Sequence, residues 1–153
     1  MSKWFAGLLV VALVLTVCGL EMRQAFAQEK PALSQPVMET GRFMKKFADP
    51  LMENLHGAMA KEPASPRDWR SLEDEAGSGA EIANLIAIRN DEYSQNPEWQ
   101  NLTKAMFDAS VALAESAKAR DFAASQTNYT ALVESCNKCH QVIDPETLPV
   151  IEP

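Results

Sequence analysis

Ser135-Cys136-Asn137-Lys138-Cys139-His140, close to the C-terminus, is the stretch from which the rest of the chain can be read. Cys-x-x-Cys-His is the attachment signature of a c-type haem. Two thiols add across the two vinyl groups of the porphyrin and become thioethers. On a helix Cys136 and Cys139 stand at i and i+3, so both sulfurs point to one face. His140 follows at once and can bring an imidazole nitrogen under the iron as proximal ligand. Three other readings compete. A thioredoxin-like pair needs Cys-x-x-Cys at a helix N-terminus after a strand, whereas this motif closes a long helical pattern. Zinc needs four ligands, and outside the motif only His56 offers comparable chemistry once Cys18 is removed with the export segment. A disulfide across two residues suits an oxidising compartment but leaves His140 without a role. One covalent haem c is the expected cofactor.

Working back from the motif, a helix is expected over about residues 121–143. Phe122, Ser125, Tyr129, Leu132/Val133, Cys136, Cys139/His140 and Ile143 share one stripe, which sets the motif on the core-facing side. Asp144-Pro145 stops it, and residues 146–153 form a tail. Arg120-Asp121 is a short turn behind a third helix, capped by Asn96 and opened by Pro97, with the stripe Trp99, Leu102, Met106, Ala109, Leu113 and Ser116/Ala117. A second helix spans about 66–89 on Trp69, Leu72, Ala76, Gly79/Ala80, Ala83 and Ile86/Ala87. Within it, Gly77-Ser78-Gly79-Ala80 either admits the close approach of another helix or a flat ligand, or breaks the helix in two. The first helix runs over about 37–61, on Val37, Gly41, Met44, Phe47/Ala48, Leu51, Leu55 and Met59. Pro50 predicts a kink, or a break at which Asp49 caps a new helix with Pro50 as its first residue. No useful stretch alternates as a strand would. Four amphipathic helices on short links predict an all-α fold, an antiparallel up-down-up-down four-helix bundle over 37–145.

The first residues read as an export signal. Lys3 supplies charge, Phe5 to Leu20 is almost unbrokenly apolar, and Ala25-Phe26-Ala27 is a small-x-small cleavage site. The apolar run is shorter than the ~20 residues a spanning helix needs. Cleavage after Ala27 removes Cys18, Lys3, Glu21 and Arg23, leaving 12 basic and 20 acidic residues. Residues 28–36, with Pro31 and Pro36, then form a flexible lead-in. The expected location is the periplasm, the compartment in which haem attachment follows export. An acidic chain repels phosphate backbones, which excludes nucleic acid as a partner, and is steered towards a redox partner with a basic docking face. The sequence is compatible with a homodimer. It holds no acid–base pair arranged for catalysis, so no enzymatic activity is expected.

The sequence resembles the class II c-type cytochromes, the family of cytochrome c′ and its low-spin relatives. Three features carry the resemblance: the haem motif at the C-terminal end, Asn96-Pro97-Glu98-Trp99 opening an alanine-rich helix that continues to Phe107, and the pair Met44-Lys45 in the first helix. After the motif comes Gln141-Val142-Ile143, where family members often carry an aromatic-basic pair. The resemblance implies His140 as proximal ligand and Met44 as distal ligand in a low-spin electron carrier. High-spin members instead keep an open distal side and bind nitric oxide or carbon monoxide. The bland alternative for Met44 is core filling, and for His56 a solvated surface. Arg42 or Lys45 is a candidate partner for a haem propionate, against the ordinary fate of coating a wet face. Phe47, Trp69, Trp99 and Tyr129 are candidate haem contacts, against ordinary bundle core.

Overall fold

The computed structural model of the chain describes residues 35–146 and 148–152. The expected export segment, residues 1–27, lies outside them, as does all of the lead-in but Gln35 and Pro36. Helix α1 (Thr40–Phe43) runs through a π-helical turn (Met44–Ala48) into α2 (Asp49–Met59) without leaving helical backbone angles. Then come α3 (Pro66–Ala87), a 3-10 turn (Tyr93–Gln95), α4 (Trp99–Ala119) and α5 (Phe122–Ile143). Among the described residues there is no strand. No described helix is long and apolar enough to cross a membrane.

The helix ends have local causes. Ser65 accepts from the Asp68 backbone N–H at 3.2 Å while the Asp68 carboxylate accepts from the Ser65 N–H at 2.9 Å, and Pro66 opens the helix. This reciprocal cap satisfies two donors that α3 would otherwise leave open. Asn96 acts one step earlier than expected. Its side chain accepts from the Glu98 N–H at 2.9 Å and its carbonyl from the Trp99 N–H at 3.0 Å, so Pro97 and Glu98 form a turn and α4 starts at Trp99. Arg120 closes α4 in the left-handed region, at φ 59°, where glycine is the usual occupant. The Arg120 and Asp121 N–H groups return to the carbonyls of Ala117 and Ser116, and Asp121 then caps α5 through the Ala124 N–H.

The expected break at Pro50 does not occur. Asp49 has helical angles and caps nothing, and the chain does not break. A proline ring collides with the carbonyl four residues back and offers no N–H. The π turn ends two residues before Pro50 and widens the backbone there, with the Asp49 N–H reaching back to the Met44 carbonyl. That extra residue shifts the apolar phase. From the last residue of the turn onward the buried positions are Ala48, Leu51, Leu55 and Met59, as the stripe requires, together with Met52; above the turn they are Thr40 and Phe43, one residue away from the expected Gly41 and Met44. Val37 is fully exposed.

The four rods pack against one another, with α4 lying along both α3 and α5. Side-chain pairs record the direction. Asn54–Glu75 joins α2 to α3, Gln100–Ala87 joins α4 to α3, and Asn128–Ala112 joins α5 to α4, so each rod doubles back along its predecessor. The core holds Leu55, Leu72, Leu113 and Leu132, all at or near zero exposure, together with Trp69, Trp99, Tyr129 and Cys136. α3 is unbroken across Gly77-Ser78-Gly79-Ala80, and the close approach is that of another helix. A Cβ built on Gly79 would meet Ser110 Oγ of α4 at 2.7 Å and Leu51 Cδ2 of α2 at 3.4 Å, whereas one on Gly77 meets nothing within 4 Å. Because Ser110 is fully buried, Gly79→Ala should cost roughly 1–3 kcal/mol through overpacking. Gly77→Ala should add about 0.5–1 kcal/mol through helix propensity. Denaturant midpoints of the two variants, moving in opposite directions, check this.

Candidate functional site

The motif occupies the last two turns of α5. Its first thiol, Cys136, is 7% exposed and belongs to the main core cluster, while Cys139 and His140 are half-buried. Both cysteines are free thiols. Burial pushes the Cys136 thiol up to about 11, against a smaller opposing effect of its hydrogen bond with Ser135. Burial also raises the pKa of Cys139. Both sulfurs are therefore protonated at neutral pH and sit on one side of one helix, as addition to two vinyl groups requires.

His140 is oriented by a residue that sequence reasoning missed. Its Nδ1 lies 2.7 Å from the carbonyl oxygen of Pro149. A carbonyl only accepts, so Nδ1 carries the proton and Nε2 keeps its lone pair for a metal. A backbone carbonyl behind a ligating imidazole fixes the tautomer and raises ligand basicity. The expected tail is thus a strap. Asn137, between the two cysteines, clasps it from both sides: Nδ2 donates to the Ile151 carbonyl at 2.8 Å, and Oδ1 accepts from the Ile151 N–H at 2.7 Å. Ile151 packs against the core. The signal available in the sequence was Asn137 itself, an amide able to pair with an extended backbone, but nothing in a local pattern says which segment returns to it.

The other expected site residues divide by their end of the bundle. Register between α4 and α5, read from Asn128–Ala112 and from Ser125 Oγ 3.1 Å from Ser116 Oγ, sets Trp99 level with the motif end of α5. Trp99 and Tyr129 are buried, and among the described residues neither the Trp99 Nε1–H nor the Tyr129 hydroxyl has a partner. Burial raises the pKa of Tyr129, with a smaller contribution from Cys136. Met44 is half-buried and packs against the cluster that contains Cys136 and Tyr129. Phe47 is 45% exposed, with its ring 4.9 Å from that of Phe43. Arg42 and Lys45 lie exposed, as does His56. Trp69 is a correction. It packs edge-on against Phe122 at 6.4 Å, at the start of α5, some 21 Å of helix from Cys136 at 1.5 Å per residue. The T-shaped pair makes Trp69 part of the core at the opposite end.

Comparison with protein families, with characterised proteins and with solved structures returns no match. The site therefore rests on its own residues.

Those residues fit a haem. The two thiols and the imidazole are the required donor set, the imidazole already presents Nε2, and buried donors without partners surround the same core. The packing also favours it: α1 and the π turn make few contacts with α5, and α2 only slightly more, in contrast to the extensive α3–α4 and α4–α5 seams. A flat group between the first rod and α5 would displace the least packing. Two clefts, of about 450 and 490 Å³, lie elsewhere, on Trp69, Arg70 and Lys118 and on Asn54, Glu62 and Leu72. The raised thiol carries a pH signature. In the haem-free chain the fold favours the neutral thiol, so this contribution to stability is whole below pH 9.0 and is lost as pH rises through about 11. Urea midpoints should fall across that window, and Cys136→Ala should flatten the fall without abolishing it, since Tyr129 is shifted in the same direction.

Proposed function

We propose that the chain is a monohaem c-type cytochrome of the class II kind, an antiparallel up-down-up-down bundle that carries electrons in the periplasm. The observation that supports this most is the commitment of His140 Nδ1 to Pro149, which leaves Nε2 for a metal one residue beyond two protonated thiols. When bound, the haem supplies a one-electron ferric–ferrous couple. The rest falls to the side chains. Cys136 and Cys139 hold the porphyrin edge to α5 through thioethers. His140 would ligate the iron through Nε2, and the Pro149 carbonyl holds its ring against rotation. Met44 would supply a thioether ligand, which favours the ferrous state and raises the potential. Trp99 and Tyr129 wall the site with buried aromatic surface that excludes water. The acidic surface steers a basic redox partner, and nothing in the site calls for a substrate to be turned over.

A second reading draws on the displaced phase of the first rod. Met44 lies one residue off the buried stripe. If its sulfur stays away from the iron, the distal side is open and the protein binds nitric oxide or carbon monoxide.

A visible spectrum of protein matured in a cytochrome-assembling host separates these readings. The carrier should show a split low-spin spectrum with a thioether-to-iron band at the red end, and Met44→Ala should convert it to high spin. A wild-type spectrum that is already high-spin and moves with carbon monoxide establishes the gas-binding reading. Colourless protein at the mass of the bare polypeptide removes both.

A further inference from the structure

The buried charge at the motif end of the bundle belongs to Arg89, which follows α3. Arg89 is 7% exposed, and its guanidinium lies 4.3 Å from the centre of the Phe43 ring while Nη1 donates to the Met38 carbonyl. Its Nε–H is buried without a partner, and no ion pair to Arg89 is found among the described residues. The carboxylate that acts on it electrostatically, Asp91, accepts instead from the Thr40 hydroxyl and the Ser94 N–H. Burial pulls the Arg89 pKa down, and Asp91 only opposes this. An arginine so desolvated and incompletely bonded is expensive unless an anion completes it. A second orphan stands at the same end. Trp99, whose Nε1–H is also unpartnered, starts the turn of α4 that Gln100 ties to the Ala87 carbonyl at 3.0 Å, two residues before Arg89. Phe43, under the guanidinium, immediately precedes Met44.

We propose that Arg89 and Trp99 form the carboxylate pocket for the haem propionates, in place of the exposed Arg42 and Lys45. The assignment rests on the haem reading above. Arg89 presents a planar fork suited to a carboxylate, and the indole N–H is a donor that needs an acceptor when buried. Neutralising a propionate beside the iron favours the ferrous state, so loss of the cation should lower the potential.

The test is the midpoint potential of purified holoprotein in the wild type and in Arg89→Gln, Arg89→Lys, Trp99→Phe and Arg42→Gln. Arg89→Gln should shift the ferrous–ferric equilibrium about tenfold towards ferric, roughly 59 mV for one electron. Arg89→Lys, which keeps the charge, should recover most of that. Trp99→Phe should shift the same way by less. Arg42→Gln, which removes the same charge from an exposed position, should move the potential by less than about a third as much. Equal shifts for Arg42→Gln and Arg89→Gln, or none for Arg89→Gln, would overturn the pocket. So would loss of holoprotein from both Arg89 variants, which would make the side chain structural. A wild type without haem would instead remove the cytochrome reading on which the pocket rests.

Discussion

Burial of α4 on two sides is the constraint from which the rest of this structure follows. Its stripe from Trp99 through Leu113 to Ala117 is covered by α3 on one flank and α5 on the other. Packing this close needs a small residue at the crossing, and Gly79 supplies it against Ser110. The result is a three-helix slab that fixes where α5 ends and therefore where Cys136, Cys139 and His140 stand. The first rod is attached chiefly to α3 and only lightly to α5. The seam with least packing is the one between the first rod and α5.

Most of the slab was legible in the sequence because its helices are regular. In α3, α4 and α5 the 3.6-residue period runs without interruption, so a stripe counted from Trp69, Trp99 or Phe122 stays in phase to the end. The first rod shows what the period cannot carry. A π turn adds one residue, and no propensity scale marks it; counted back from Leu51, the stripe lands on Met44 and Gly41 where the buried residues are Phe43 and Thr40. Pro50 was a visible signal of disturbance there, but the helix absorbed it upstream instead of breaking. Asn96 illustrates a smaller slip. The expected cap did not form: the N-cap of α4 is Glu98 with no side-chain cap bond, and the Asn96 side chain instead closes the turn that precedes the helix.

The site was legible to the extent that its chemistry is local. Five consecutive residues name the donor set, and their spacing on one helix needs nothing beyond the geometry of that helix. What orients them is not local. The Pro149 carbonyl reaches His140 across nine residues, and Asn137 grips Ile151 across fourteen. Arg89 meets Met38 across fifty-one. Contacts at such separations depend on which rods are neighbours, and a one-dimensional pattern does not record that.

The two sides of the seam are prepared to different degrees, and this bears on how the site works. On the α5 side the imidazole is held by a carbonyl, the carbonyl by a strap, and the strap by an amide and by Ile151 in the core. Rotation of His140 requires all of these to give way together, so the direction of its Nε2 is set by the polypeptide. On the other side Met44 sits in a π turn, half-buried and outside the core stripe. A thioether is a weak, uncharged ligand, and the turn that carries it is the least regular part of the helix. On the proposed haem reading, the Met44 side is where the structure would yield. On the haem reading proposed above, a fixed His140 and a more adaptable Met44 would let small changes in the first rod choose between an electron carrier and a gas-binding protein.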